Sequence, residues 1–499
     1  MKGINFKIIA SFLGLTSMMN GFFMLITEPI SWFYSKEACS GILYAGLITI
    51  SIGFLLWYNN RNAEKRIHKR DGYLIVTLGW LMLTLTGTLP YLLTGSIQSF
   101  PDAIFETISG YSTTGASILT DIESVSKGVL FWRSATHWIG GMGIIVLTVA
   151  ILPLLGIGGM QLFVAEAPGP STDKLHPRIT QTAKRLWLIY FGYTVLEFLL
   201  LKMAGMTWFD AINHAMATLS TGGFSTKNAS IAYWNNNPLI QYIIIVFMFI
   251  AGANFVLSYF ALKGKTSRIY KDDEFKWYFI IVALVTVTIT VLINWYQDPN
   301  LQTTIDHPKP YGSLESAFRH SAFQVLSVIT TTGFVSADFT MWNHLATALM
   351  FSLFFIGGSA GSTSGGVKIV RHVIMIKNSL LELKKQLHPK AIISVRYNGS
   401  RVSRVIIFNI LSFFVIYMLI FILSTIILAF LGLDFLSALG AAASCLGNIG
   451  PALGTLSPVD NFAHLNDAAK LFCSFLMLLG RLELFTVLIV ITPYFWKTN

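Results

Sequence analysis

Four short polar segments hold the residues whose types and spacing suit chemistry: "SGYSTTGAS" (109–117), "DAINHAMATLSTGGFS" (210–225), "SAFQVLSVITTTGFVS" (321–336) and "ALGAAASCLGNIGPAL" (438–453). They align without gaps when Gly115, Gly223, Gly333 and Gly450 are matched, at intervals of 108, 110 and 117 residues. Twelve residues before each glycine stands a small residue (Ala103, Ala211, Ser321, Ala438), and six before stands another (Ser109, Ala217, Ser327, Ser444). Two before is always a polar side chain: Thr113, Thr221, Thr331 or Asn448. Glycine admits unusual backbone angles and close approach, and rings of backbone carbonyls can replace the hydration shell of a cation. Neighbouring hydroxyls satisfy backbone groups or add oxygen ligands. The candidate cation ligands are therefore Thr113, Thr114 and Gly115; Thr221, Gly222 and Gly223; Thr331, Thr332 and Gly333; and Asn448, Ile449 and Gly450. A turn glycine beside a Ser/Thr cap would explain any one of these loops. Four in register imply a repeated unit.

The rest of the chain is the apparatus that positions them. Of 499 residues, 54% are hydrophobic and 12% charged, about half the charged share of soluble domains. Runs such as 243–262 and 413–433 are long enough to cross a bilayer, which takes about 20 apolar residues. Spans are expected near 5–33, 40–58, 73–95, 130–155, 183–204, 239–262, 276–296, 341–376, 402–432 and 467–496. The first is read as a retained helix, because no small-residue cleavage site ends it. With a cytoplasmic N-terminus, the loops near 59–71, 156–182, 263–275 and 377–401 face inward, and most of the 35 Lys and Arg lie on that side. This is the positive-inside pattern. It explains the net charge of +11 without nucleic-acid binding. Three cysteines, Cys39, Cys445 and Cys473, fit neither a disulfide framework nor a zinc site.

In this topology each polar segment lies on the external side, after a stretch such as "FPDAIFETI" (100–108) that is too short to span. Each unit reads as span, half-helix, glycine loop, span. Irregular backbone at membrane depth is tolerated only inside protein or along a water-filled cavity. The half-helices should point their partially negative C-terminal ends to the axis, which favours a cation. The expected fold is an all-α polytopic membrane protein with four span–pore-helix–span repeats around a pseudo-fourfold pore, plus two extra N-terminal transmembrane helices. The expected division is 1–71 (two N-terminal helices), 72–182, 183–275, 276–400 (with a broken second helix) and 401–499.

The loops resemble those of the Trk/Ktr/HKT superfamily of potassium transporters, with four degenerate repeats in one chain. The two extra spans, "HWIGGMG" (137–143) and "GNIGP" (447–451) resemble the TrkH/TrkG branch. The resemblance implies potassium uptake through a four-loop filter, with obligate symport of potassium with proton or sodium as the alternative. Glycine at all four sites is the family pattern for potassium preference, and in related plant transporters a serine at the first site accompanies greater sodium permeability. Family members of this type are homodimers in the bacterial inner membrane and bind peripheral cytoplasmic RCK (TrkA-like) subunits. Nucleotide is thus expected only on a partner, with no cofactor in this chain and potassium as its substrate. The basic stretch with Lys384, Lys385 and Arg396 is a candidate docking surface, or equally a lipid-headgroup contact.

"FIGGSAGSTSGGVK" (355–368) holds Gly357, Gly358, Gly361, Gly365 and Gly366. Each glycine costs about 1 kcal/mol in a helix interior, so this span should break. It resembles the family's intramembrane gating loop. A phosphate loop is excluded by the missing Gly-Lys-Ser/Thr ending, and close packing of small residues between helices is the bland alternative. Arg481, inside the last expected span, is costly in a bilayer and marks a pathway or a pairing. By the resemblance it faces the pore near the gating loop. A structural ion pair with Glu483 or Glu197 is the competing reading. His137 reads as a packed histidine or a proton carrier. Asp102, Glu106, Asp121, Glu123, Asp210, Asp306, Glu315 and Asp338 are candidate mouth charges, or simply solvated surface. No nucleophile–base pair at convincing spacing supports an enzyme.

Overall fold

The computed structural model describes residues 4–34, 39–63, 69–146, 179–295, 313–390 and 393–497. The loop expected at 156–182 lies almost wholly outside them, as do the tail of the fourth expected span and Asp306. Two long helices, α1 (Phe6–Tyr34) and α2 (Cys39–Asn60), open the chain. Their backbones pack closely through glycines. A Cβ on Gly14 would lie 2.6 Å from the Gly53 carbonyl, and one on Gly21 would lie 2.8 Å from that of Gly46. Such small-residue contacts hold helices together where no hydrophobic drive separates them from lipid.

Four similar groups follow. The first is α3 (Lys69–Gly87, extended by a turn at Leu89–Leu93), half-helix α4 (Phe100–Tyr111) and α5 (Lys127–Val146). The second is α6 (Ile179–Met203), half-helix α7 (Trp208–Leu219), α8 (Pro238–Gly252) and α9 (Phe255–Leu262). The third is α10 (Asp273–Trp295), half-helix α11 (Leu314–Ile329), α12 (His344–Leu353) and α13 (Ile369–Leu387). The last is α14 (Arg404–Phe430), half-helix α15 (Phe435–Gly447), α16 (Asp467–Arg481) and α17 (Phe485–Ile491). The half-helices have 12, 12, 16 and 13 residues. At 1.5 Å per residue these lengths fall short of a bilayer core about 30 Å thick. Their starts are set locally. Pro101 opens α4, while Thr207, Ser313 and Asp434 cap α7, α11 and α15 by accepting a backbone N–H.

Six described helices are long and apolar enough to cross a membrane, eight if each bent pair counts as one span. Large apolar side chains face outward along them: on α14, Val415, Leu419, Ile422, Leu423 and Ile426 are all exposed. That surface suits lipid. The chain is a polytopic helical membrane protein, and a two-residue ribbon (Arg396–Tyr397 with Ser400–Arg401) is the sole strand pairing among the described residues. The groups close in a circle: α5 packs on α7, α8 on α11, α13 on α14, and α16 on α4.

Two expected continuous spans are bent instead. The helix expected over 239–262 turns by 107° between α8 and α9. Ala253 is extended there, and the Asn254 side chain caps α9 by accepting from Val256 N–H at 2.8 Å. The helix expected over 467–496 turns by 116° between α16 and α17. Glu483 and Leu484 adopt left-handed φ of 53° and 54°, so Arg481 ends a helix rather than lying midway along a span.

Candidate filter and the loop beneath it

Each half-helix ends in the same way. The backbone N–H of Thr114, Gly222, Thr332 and Ile449 donates to the carbonyl five residues earlier, at 2.9, 2.8, 2.8 and 3.0 Å. One residue before each, Thr113, Thr221, Thr331 and Asn448 have φ of 54°, 56°, 56° and 55°. β-branched residues with positive φ are outliers, and such strain gathers at ligand clamps and active sites. The four glycines follow at φ 84°, 81°, 78° and 100°. This alternation of left-handed and ordinary residues ends the helix and turns successive carbonyls out of its hydrogen-bond pattern.

The four loops form a closed ring. A Cβ on Gly115 would collide with the Gly222 carbonyl oxygen, one on Gly223 with that of Thr332, one on Gly333 with that of Ile449, and one on Gly450 with that of Thr114. Each glycine Cα thus abuts the carbonyl of the residue preceding the next glycine, in chain order, and the fourth returns to the first. All four glycines line one cavity on the side of the loops that follow them. The twelve residues proposed from sequence are brought together, and all but the intermediately exposed Gly115 and Gly223 are buried.

Hydroxyls and amides hold the ring. Ser109 Oγ donates to the Ala116 carbonyl at 2.5 Å, Ser327 Oγ to Phe334 at 2.6 Å and Ser444 Oγ to Gly450 at 2.9 Å. These are the small residues six before the glycine, and Ala217 has no hydroxyl to do the same. Asn448 Nδ2 donates to Thr114 Oγ1 at 3.0 Å, joining the fourth loop to the first.

A second set of residues also falls in register in the alignment. Nine before the glycine stand Glu106, His214, Gln324 and Ala441, and the first three brace the returning strand. Glu106 accepts from Ile118 N–H at 2.9 Å and from Ser117 Oγ at 3.0 Å. His214 Nε2 meets Ser225 Oγ at 3.0 Å, and Gln324 Nε2 donates to Ser336 Oγ at 3.4 Å. Glu106 also pairs with Arg133 at 2.6 Å, both buried. Arg133 donates to the Ser225 carbonyl at 2.9 Å and lies 3.5 Å over the Phe224 ring, tying the first loop to the second. Breaking one partner of a buried pair costs about 3–5 kcal/mol. Glu106→Ala should therefore melt well below the parent in detergent, and Glu106→Met with Arg133→Met should recover much of that loss; an unchanged melting temperature for Glu106→Ala would refute the brace.

The expected mouth charges are mostly structural. Asp102 takes the buried Lys470 at 2.6 Å, and Asp210 accepts from Thr207 and Thr226. Asp121 remains exposed, where the Asn228 amide holds its carboxyl below the usual carboxylate range. Glu315, in the first turn of α11, pairs with Arg319 at 2.8 Å. His137 stacks on Phe224 with ring centroids 3.9 Å apart, and is fully buried. Among the described residues, no cluster of His, Cys, Asp and Glu is suited to a metal ion.

Between α12 and α13 the chain from Phe355 to Lys368 is non-helical. Its backbone groups find partners from all around. Gly365 N–H donates to Thr331 Oγ1 at 2.6 Å, Ser359 N–H to the Gly252 carbonyl at 2.8 Å, and Thr363 Oγ1 to the Leu219 carbonyl at 3.0 Å. A Cβ on Gly365 would lie 2.7 Å from the Gly447 carbonyl. The buried Glu274, which sequence reasoning missed, accepts from Ala360 N–H at 2.8 Å and Val370 N–H at 3.1 Å. Arg481 donates to the Thr363 carbonyl at 2.9 Å and to the Gly140 carbonyl at 3.2 Å. Glu483 instead pairs with Arg371 at 2.6 Å. Gly140, in the "HWIGGMG" segment, also lets α5 reach the end of the first half-helix, since a Cβ there would collide with the Tyr111 carbonyl.

The TrkH model, described as a cation transport protein, matches residues 39–497. The chain is 39% identical over 497 residues to the Trk system potassium uptake protein TrkH of Salmonella typhimurium, covering 99% of this chain and 100% of the relative. It is 34% identical to the Trk system potassium uptake protein TrkG of Escherichia coli, covering 99% of each. The crystal structure of the potassium transporter TrkH from Vibrio parahaemolyticus superposes with a TM-score of 0.88 at 36% identity, covering 99% of this chain and 100% of that one. A four-looped ring in a polytopic helical protein, with whole-length likeness to these relatives, assigns the chain to the TrkH family of cation transport proteins, a family of transporters and not of enzymes.

Proposed function

We propose that this chain takes up potassium across the cell membrane through a filter made by residues 113–115, 221–223, 331–333 and 448–450. One observation carries the reading: the four loops abut in a closed ring of glycine Cα atoms and carbonyl oxygens. Partially charged oxygens at such a ring replace water around a dehydrated cation. The names of the relatives, potassium uptake proteins, supply the ion. In this account the segment 357–366 lies across the path below the ring and must move for ions to pass, and Arg481 latches it. Each of the four units 72–182, 183–275, 276–400 and 401–499 contributes one loop, and 1–71 stands outside them. The N-terminus is cytoplasmic in the inner membrane, the chain is a homodimer, and the face bearing Lys384, Lys385 and Arg396 receives RCK-type nucleotide-binding subunits. Purified protein in liposomes should carry potassium down its gradient faster than sodium; potassium flux no greater than in protein-free liposomes would overturn the reading.

A further inference from the structure

The four loops leave α1 and α2 without a task, yet α1 reaches the end of the first half-helix. Its buried stripe runs through Ser17, Asn20, Gly21, Met24, Thr27 and Ser31 at helical spacing, and it packs on α2, α3 and α5. Asn20 is fully buried there. An amide so placed is costly unless its donors and acceptor are used, and both ends are. Its Nδ2 donates to Thr86 Oγ1 of α3 at 2.9 Å, and its Oδ1 accepts from Tyr111 Oη at 2.6 Å.

Tyr111 is the last residue of the first half-helix. The chain turns left-handed two residues later at Thr113, and Gly115 lies four residues on. The ring of Tyr111 is enclosed: a Cβ on Gly87 would lie 2.6 Å from it, and Trp132 meets it edge-on with centroids 6.5 Å apart. The other three half-helices carry Leu219, Ile329 and Leu446 at this position. Only the unit that Asn20 reaches ends in a hydroxyl-bearing side chain.

We propose that Asn20 of the extra helix α1 is a positioning residue for the filter, holding the end of the first half-helix through Tyr111 and so placing the Thr114 carbonyl against Gly450. The proposal rests on the filter reading above. It gives the two N-terminal helices a role in selectivity rather than in anchoring alone.

The test compares Tyr111→Phe, Asn20→Leu and the double variant with Gly223→Ser, all as full-length protein in planar bilayers with potassium on one side and sodium on the other. Tyr111→Phe removes one oxygen and keeps the ring, so the packing around it is left unchanged in shape while the bond to Asn20 is lost. A single buried hydrogen bond corresponds to a fall in the potassium-to-sodium permeability ratio of about 3- to 10-fold, read as a shift of reversal potential. Each single variant should show that shift, and the double variant should be no worse than either. Unchanged reversal potentials in both single variants, with Gly223→Ser shifted, overturn the proposal and leave the filter reading intact. Equal and additive shifts from the two single variants would also overturn it, because the residues would then act separately. No shift in any variant, Gly223→Ser included, overturns the filter reading and this proposal with it.

Discussion

Replacing Gly223 by serine is expected to lower the potassium-over-sodium permeability ratio by about tenfold or more. Two effects add at this position. Its φ of 81° lies where a side chain costs about 1–3 kcal/mol, and 1.4 kcal/mol is a factor of ten in an equilibrium. The new Cβ would also collide with the Thr332 carbonyl oxygen, one of the four that border the ring. The backbone cannot relieve the collision alone, because Thr332 N–H is bonded to the Ser327 carbonyl at 2.8 Å and Thr332 Oγ1 lies 2.7 Å from Thr330 Oγ1. The carbonyl must therefore shift, and the spacing that the proposed filter offers a dehydrated cation changes. Gly333→Ser meets the Ile449 carbonyl in the same way and should act alike. A bilayer recording that shows parental selectivity in both variants would rule out the ring as the selecting element.

Removing Arg481 should have the opposite kind of effect, raising flux without first changing preference. Its guanidinium bonds two carbonyls, Thr363 on the loop and Gly140 on α5, and so ties the non-helical segment to the first unit. Hydrogen bonds from charged donors contribute about 1.5–3 kcal/mol each. Losing both in Arg481→Ala shifts the balance toward a displaced loop by about two orders of magnitude or more. Arg481→Lys keeps the charge but cannot span both carbonyls with a planar fork. Flux intermediate between parent and alanine would mark a latch, and parental flux in the lysine variant would mark a purely electrostatic barrier. Loss of all flux in correctly folded Arg481→Ala protein would contradict the latch.

The sequence shows much of this arrangement because the ring is built from one loop repeated four times. Four glycines in register, each with small residues six and twelve positions earlier, stand out against apolar chain, and the serines six before turn out to hold carbonyls beside the ring. The bend at Asn254 and the one after Arg481 are not legible in the sequence for a physical reason. Hydropathy over a window registers apolar content alone, while these bends arise from one capping side chain and two left-handed residues. The sequence offers Glu106 only as a mouth charge or as solvated surface, since carboxylates are rarely fully buried; its partner Arg133 lies 27 residues on, on a separate helix. Contacts such as Asn20 with Tyr111, 91 residues apart, depend on helix packing that no periodicity in one chain encodes. The oddity of Tyr111 among Leu219, Ile329 and Leu446 was nevertheless visible in the same alignment.

The central claim is that the four abutting loops select potassium. Its most direct test is the reversal potential of the unmodified protein in a bilayer, with unequal potassium on the two sides and sodium balancing the ionic strength. The account predicts a reversal potential that follows the potassium gradient and is unmoved by an imposed pH gradient. A reversal potential that ignores the potassium gradient, or that follows sodium instead, would contradict it.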